Sequence, residues 1–243
     1  MVIADETNAE LNWHRLRERV PQALRVDGAA SVQEAYGRAV AAVTTPHFFF
    51  VDGDNWLVDG FRFRLDFSPK ENETAFWLAR NPVNGLISPH GAIKLLPTEL
   101  TRQKAMGAKA IDVALSIGTN RRMVNVTASE HRFNTSAFEA WRTAFRECAK
   151  LASRSTPINN QIRNAMLNVW CGKTKIEASF AEWCLLGARQ GRSFGARNAY
   201  DPERLQRLND FSWLRRVFDQ AQRKVLMSTS FTSDVSASDR RRS

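Results

Sequence analysis

Two carboxylates one residue apart, Asp52 and Asp54, end the apolar run of FFFVDGDN, residues 48–55. In extended chain, residues i and i+2 project to the same side, so both acids point one way and repel unless a cation lies between them. Carboxylate oxygens are hard ligands that suit Mg2+ or Mn2+. A polar turn ending a buried strand accounts for the same residues without a metal. A second group lies far along the chain. Arg189, Arg192 and Arg197 fall in GARQGRSFGARN, where Gly187, Gly191 and Gly195 would let backbone approach a phosphate chain closely. The plain alternative is a flexible interhelical loop with solvated charges.

The elements around the paired acids set their position. VIAD is a short strand ending in Asp5 and Glu6, and NAELNWHRLRERV has helical spacing. LRV, residues 24–26, is a brief strand running into Asp27. SVQEAYGRAVAAV opens with a capping box, Ser31 with Glu34 three residues on, and HFFFV is the next strand. This β-α-β-α-β order implies a parallel sheet with helices on its faces. Ligands of such sheets bind outside the carboxyl ends of the strands. Asp5, Glu6, Asp27, Asp52 and Asp54 all fall at that end, so one sheet edge is lined with acids.

Further on, FRFRLDF (61–67) alternates as a strand does, and TAFWLAR (74–80) reads as another. NPVNGLISPHGA has the Asn, Pro and Gly of a loop. IKLLPTEL starts a helix or turn, DVALSI is helix or strand, and MVNVTA is a short element. SAFEAWRTAFRECAKLAS (136–153) is an amphipathic helix with Phe138, Trp141, Phe145, Cys148 and Ala149 on one face. Beyond Pro157 the pattern is helical, and the Ser-rich residues 228–243 are expected to be disordered.

Composition narrows the classes. With 243 residues and 43% apolar content the chain can bury a real core. It has no apolar stretch near the ~20 residues of a membrane span, and its acidic opening is unlike a signal peptide. Cys148, Cys171 and Cys184 are odd in number and lack zinc-type spacing, which points to free thiols and a cytoplasmic location. The net charge of +10 is lopsided: residues 1–145 hold 17 Lys and Arg against 16 Asp and Glu, whereas residues 146–227 hold 15 against 7. A basic half beside a neutral half suggests a polyanion-binding surface, with nucleic acid the first candidate.

The order of these pieces resembles the GT-A glycosyltransferases of the DxD type. An acid follows the first strand (Asp5/Glu6), then come an Ala-containing helix and DxD (AYGRAVAAVTTPHFFFVDGDN), an acceptor-side loop (NGLISPHGAIKLL), an acid before a short helix (AIDVALSI), and a strand ending in His (NVTASEHRF). More narrowly, ADETNAELNW, TPHFFFVDGDN, SPHGAIKL and FNTSAFEAWRTAFRECAKL look like the small glycosyltransferases that tailed phages use on modified DNA bases. One departure is Ile111, where the family usually has Glu.

The resemblance implies an α/β fold: a GT-A (Rossmann-like, mostly parallel sheet) catalytic domain over residues 1–153, then a basic α-helical region over 154–227 and the tail 228–243. It implies a Mn2+ or Mg2+ ion held by Asp52, Asp54 and His131, with imidazole suiting Mn2+ better. Asp5, Glu6, Asn8, Asp27, Asp52, His90, Arg142 and Arg146 would bind the nucleotide-sugar, a UDP-sugar by family default. Asp112 would be the base, with a helix N-cap as its plainer role, and Glu147 is the reserve.

The expected reaction moves a sugar to a hydroxyl on a modified pyrimidine in double-stranded DNA, gripped by Arg189, Arg192 and Arg197. The setting would be the host cytoplasm if the chain is phage-encoded. A saccharide or protein acceptor is the alternative within the class, and a non-catalytic DNA-binding protein the alternative outside it. A nucleotidyltransferase would want a Gly-rich loop with a Lys near the N-terminus, and ADETNAEL has neither.

Overall fold

The computed structural model describes residues 2–3, 8–29, 31–89, 92–104, 112–155, 158–172 and 177–239; for 2–3 and 228–239 the backbone alone is described. Asp5, Glu6 and His90 therefore lie outside the described residues.

The chain opens as expected in order. Strand β1 (Val2–Ile3), helix α1 (Ala9–Arg19), β2 (Val26–Asp27), α2 (Val32–Ala41) and β3 (His47–Val51) follow one another. Ser31 caps α2 by accepting from the Glu34 amide at 3.1 Å. β1 and β2 pair in parallel as a two-stranded sheet.

β3 belongs to a second sheet of six strands, with β4 (Asn55–Leu57), β5 (Glu73–Arg80), β6 (Ile87–Ser88), β7 (Ile93–Pro97) and β8 (Asn120–His131). Its order is β3-β7-β5-β8-β4, with β6 beside β5. The expectation of a mostly parallel sheet is corrected. Only β5–β8 is parallel within this sheet; β3–β7, β5–β7, β4–β8 and β5–β6 are antiparallel. The inner strand that enforces this is β7. IKLLP, expected to begin a helix or turn, is instead buried at every position, and it runs antiparallel to both neighbours. The helical part starts at Thr98, in α3 (Thr98–Lys104).

FRFRLDF is not a strand. Its alternation is real, since Phe61, Phe63, Leu65 and Phe67 turn inward onto Trp77 and its neighbours. Its backbone, however, bonds locally, with Phe61 N–H to Val58 O and Arg64 N–H to Arg62 O. Period two reports which face is apolar, and that face can be buried without a ladder.

DVALSI resolves as a helix, α4 (Val113–Ile117), and the strand through MVNVTA runs on to His131. Helix α5 (Ala137–Ala152) matches its sequence pattern. Ser136 caps it, and Phe138, Trp141, Phe145, Cys148 and Ala149 are buried. Then come α6 (Asn160–Cys171), α7 (Ala181–Arg197), α8 (Pro202–Gln206) and α9 (Phe211–Asp239).

The glycines of GARQGRSFGARN lie inside α7 rather than in a loop. They face α5: a Cβ added at Gly187, Gly191 or Gly195 would stand 2.3, 2.1 or 2.2 Å from the carbonyl oxygens of Trp141, Phe145 and Ala149. The glycines let two helix backbones meet, and that contact binds α7 into the same body as the sheet. The chain accordingly divides after Asn209, into Met1–Asn209 and Asp210–Ser243, and not after residue 153. Residues 228–239, expected to be disordered, continue α9 to Asp239.

Candidate active site

The site is built where β3 ends. Asp52 N–H still bonds Ala92 O at 2.9 Å, after which the chain turns and Asn55 N–H closes back on Asp52 O at 3.3 Å. The turn separates the two acids that extended chain would have aligned. Asp52 goes to Lys94 on β7, whose ammonium lies 2.9 and 3.1 Å from the two carboxylate oxygens. Asp54 goes to His131, with Oδ2 2.6 Å from Nε2.

The second contact follows from strand pairing. β4 places Asn55 opposite His131 on β8, and Arg132 N–H donates to Asp54 O at 2.6 Å, so the ladder carries Asp54 beside the imidazole. Asn55 steadies the carboxylate. Its Nδ2 donates to Asp54 Oδ1 at 2.8 Å, while its Oδ1 accepts from Ser129 Oγ at 3.1 Å. Asn55, Ser129 and His131 are all buried.

This contact is a hydrogen bond between carboxylate and imidazole. Both are ligand types that a divalent ion takes, and to share one the two groups would exchange this hydrogen bond for bonds to the ion. Among the described residues no three of His, Cys, Asp or Glu are placed to hold one metal ion, so Asp52 does not join Asp54 and His131 as expected. Mg2+ sites commonly take one or two protein carboxylates and complete their shell with substrate phosphates and water.

Lys94 was not legible as a site residue. It is buried, with its ammonium 4.8 Å from the Phe50 ring centre and 5.7 Å from that of Tyr36. Burial works against its charge, but the Asp52 carboxylate beside it holds its pKa above the ordinary lysine value. Burial pushes Tyr36 up as well, so it stays a neutral phenol. The signal was present as a single cation inside the otherwise apolar IKLLP. Nothing else in a fully buried strand explains a lysine without a partner acid.

The two proposed bases meet at a common cation. Asp112 caps α4, accepting from the Leu115 amide at 3.2 Å, so its plainer role is present. Its other oxygen lies 4.0 Å from Lys150 Nζ on α5, and the same ammonium lies 2.5 Å from Glu147 Oε1. Asp52 and Asp112 both act electrostatically on Lys94. Asp52, Lys94, Asp112, Lys150 and Glu147 thus form one charged cluster bridging β3, β7, α4 and α5.

The remaining expected residues are placed as follows. Arg142 is buried and paired with Glu139. Arg146 donates from Nε to Leu208 O at 2.7 Å and from Nη2 to Asn209 Oδ1 at 3.1 Å. Both arginines are tied into the protein here instead of reaching outward from α5. Asp27 is exposed and paired with Arg25 at 2.6 Å. Asn8 precedes α1 without capping it through its side chain. Arg189, Arg192 and Arg197 are exposed on α7.

No helix among the described residues is long and apolar enough to cross a membrane. The chain matches no family model, no curated protein and no solved structure. The site's own geometry therefore carries the functional reading.

Proposed function

We propose that the protein is a metal-dependent glycosyltransferase that moves a sugar from a nucleotide-sugar to a hydroxyl on a modified pyrimidine in DNA. The observation that carries the reading is the 2.6 Å contact between Asp54 and His131, two residues 77 positions apart. The resemblance to DxD glycosyltransferases asks for the second acid of DxD and the strand-terminal histidine to share one ion, and nothing in their sequence separation requires them to meet.

Asp54 and His131 would hold Mn2+ or Mg2+, which as a Lewis acid offsets the charge that develops on a departing diphosphate. Asp52, paired with Lys94, would accept hydrogen bonds from the nucleotide. Asp112 or Glu147 would take the proton of the acceptor hydroxyl. Lys150 lies between the two carboxylates. The basic balance of residues 146–227 supports a polyanionic acceptor over a saccharide.

The direct test incubates the protein with Mn2+, a panel of nucleotide-sugars, and duplex DNA with or without hydroxymethylated pyrimidines, and then reads nucleosides by mass spectrometry. A hexose or pentose mass added to the modified nucleoside alone is the expected result. Transfer to saccharide instead would replace DNA as the acceptor. Strong DNA binding without nucleotide-sugar binding would favour the non-catalytic alternative.

A further inference from the structure

Helix α6 presents an outward face with an unusual choice of residues. Gln161, Asn164, Ala165 and Asn168 recur at i, i+3, i+4 and i+7, which places them in one stripe, and all four are exposed. The opposite face, with Arg163, Leu167 and Trp170, is buried. Ile162 flanks the stripe at 56% exposure. The side chains of Gln161, Asn164 and Asn168 make no hydrogen bond to another described residue.

A face that merely met water would favour Glu, Lys or Arg, which are good helix formers. Asn is among the poorer ones, because its amide competes for the backbone. Two asparagines are nevertheless spent on this stripe, and α6 carries no acid at all. Cations stand on the neighbouring helix: α7 packs against α6 and carries Arg189 and Arg192, both exposed.

Carboxamides on an acid-free helix, flanked by exposed arginines, match one kind of surface. In the major groove of duplex DNA, Asn and Gln pair in bidentate fashion with the N6 and N7 edge of adenine, and small apolar side chains meet the thymine methyl. Arginines at the margin meet phosphate and set register.

We infer that α6 is the groove-reading helix of this protein, with Gln161, Asn164 and Asn168 facing base edges and Arg189 and Arg192 gripping the flanking phosphates. The inference rests on the reading of DNA as the acceptor and adds which surface holds it. It also changes the role of α7. Its glycines are spent on α5, so phosphate contact falls to its arginine side chains and not to its backbone.

The test measures fluorescence anisotropy of 24-base-pair duplexes of varied sequence against the full chain, over a range of salt. A triple variant, Gln161→Ala, Asn164→Ala and Asn168→Ala, should fold at least as well as the native chain, since Ala is the better helix former. It should lose affinity for the preferred duplex by about tenfold or more and lose its preference among duplexes, with the salt slope unchanged, because base contacts release no counterions. Arg189→Gln with Arg192→Gln should instead weaken all duplexes alike and reduce the slope by about two.

Unchanged affinity and preference in the triple variant would overturn the assignment of α6 while leaving the DNA acceptor in place. So would tighter binding of single strands than of duplexes. A native chain that binds no DNA under any salt, yet hydrolyses nucleotide-sugar, would overturn the DNA acceptor and this inference with it.

Discussion

The carboxylate of Asp52 and the ammonium of Lys94 form an ion pair whose two ends differ sharply in exposure: the lysine side chain is 6% exposed and the aspartate 41%. The aspartate can fall back on water if its partner is lost, and the lysine cannot. Asp52→Ala should therefore destabilise the protein by ~3 kcal/mol or more, since it strands a buried charge. Lys94→Met should cost much less, and the double variant should recover most of the loss. Urea denaturation of the three variants measures this; equal losses for the two single variants would contradict the asymmetry.

Asp54 and His131 should act together in binding the ion. Asp54→Asn and His131→Ala should each weaken Mn2+ binding, followed by loss of the free-ion paramagnetic resonance signal, by tenfold or more. Asp52→Asn should leave it within a few-fold, because that carboxylate is committed to Lys94. If Asp52→Asn weakened Mn2+ as much as Asp54→Asn, the two acids of DGDN would share the ion after all.

For the proton acceptor, Asp112→Asn and Glu147→Gln separate two roles. Loss of the true base should lower turnover by roughly 10²-fold or more with donor affinity kept. Asp112→Asn retains a side-chain oxygen able to cap α4, so its thermal stability should change little. A matched loss of donor affinity and turnover would make the residue a binding group.

The α5–α7 contact should tolerate no side chain. Gly191→Val would drive carbon into the Phe145 backbone, where even a Cβ would come within 2.1 Å of the carbonyl oxygen. The penalty should exceed that of Ala196→Val, an exposed position on the same helix, by 2 kcal/mol or more. Thermal denaturation compares the two; a similar melting point for both would mean that the helices are not in backbone contact.

Cys171 should be the reactive thiol of the three. Hydrogen bonding from Cys148 and the neighbouring Arg192 and Arg189 bring its pKa down to about 6, whereas burial raises Cys184 to about 12 and Cys148 well above the usual thiol value. Because the lowered value favours thiolate, its alkylation by iodoacetamide should rise through pH 6 and level off by pH 8. Arg192→Gln should shift that inflection upward. Peptide mapping showing Cys148 labelled first would contradict it.

The amino-acid sequence by itself determined the elements whose signals are local. Ser31 and Ser136 announce the helices they cap, the face of α5 follows from its period, and HFFFV is a strand because bulky apolar residues need cover on both sides. Asp54, His131, Asp112 and Glu147 were visible as residue types in a meaningful order.

Sequence could not say which groups pair, because pairing depends on strand direction and register. Antiparallel β7 brings Lys94 to Asp52, and the β4–β8 ladder brings His131 to Asp54. Extended-chain reasoning put both acids on one ion, and a single turn at Gly53 sent them to different partners. The glycines of α7 show the same limit: a missing side chain permits a turn, a phosphate or another helix equally well, and only the packing of α5 against α7 decided among them.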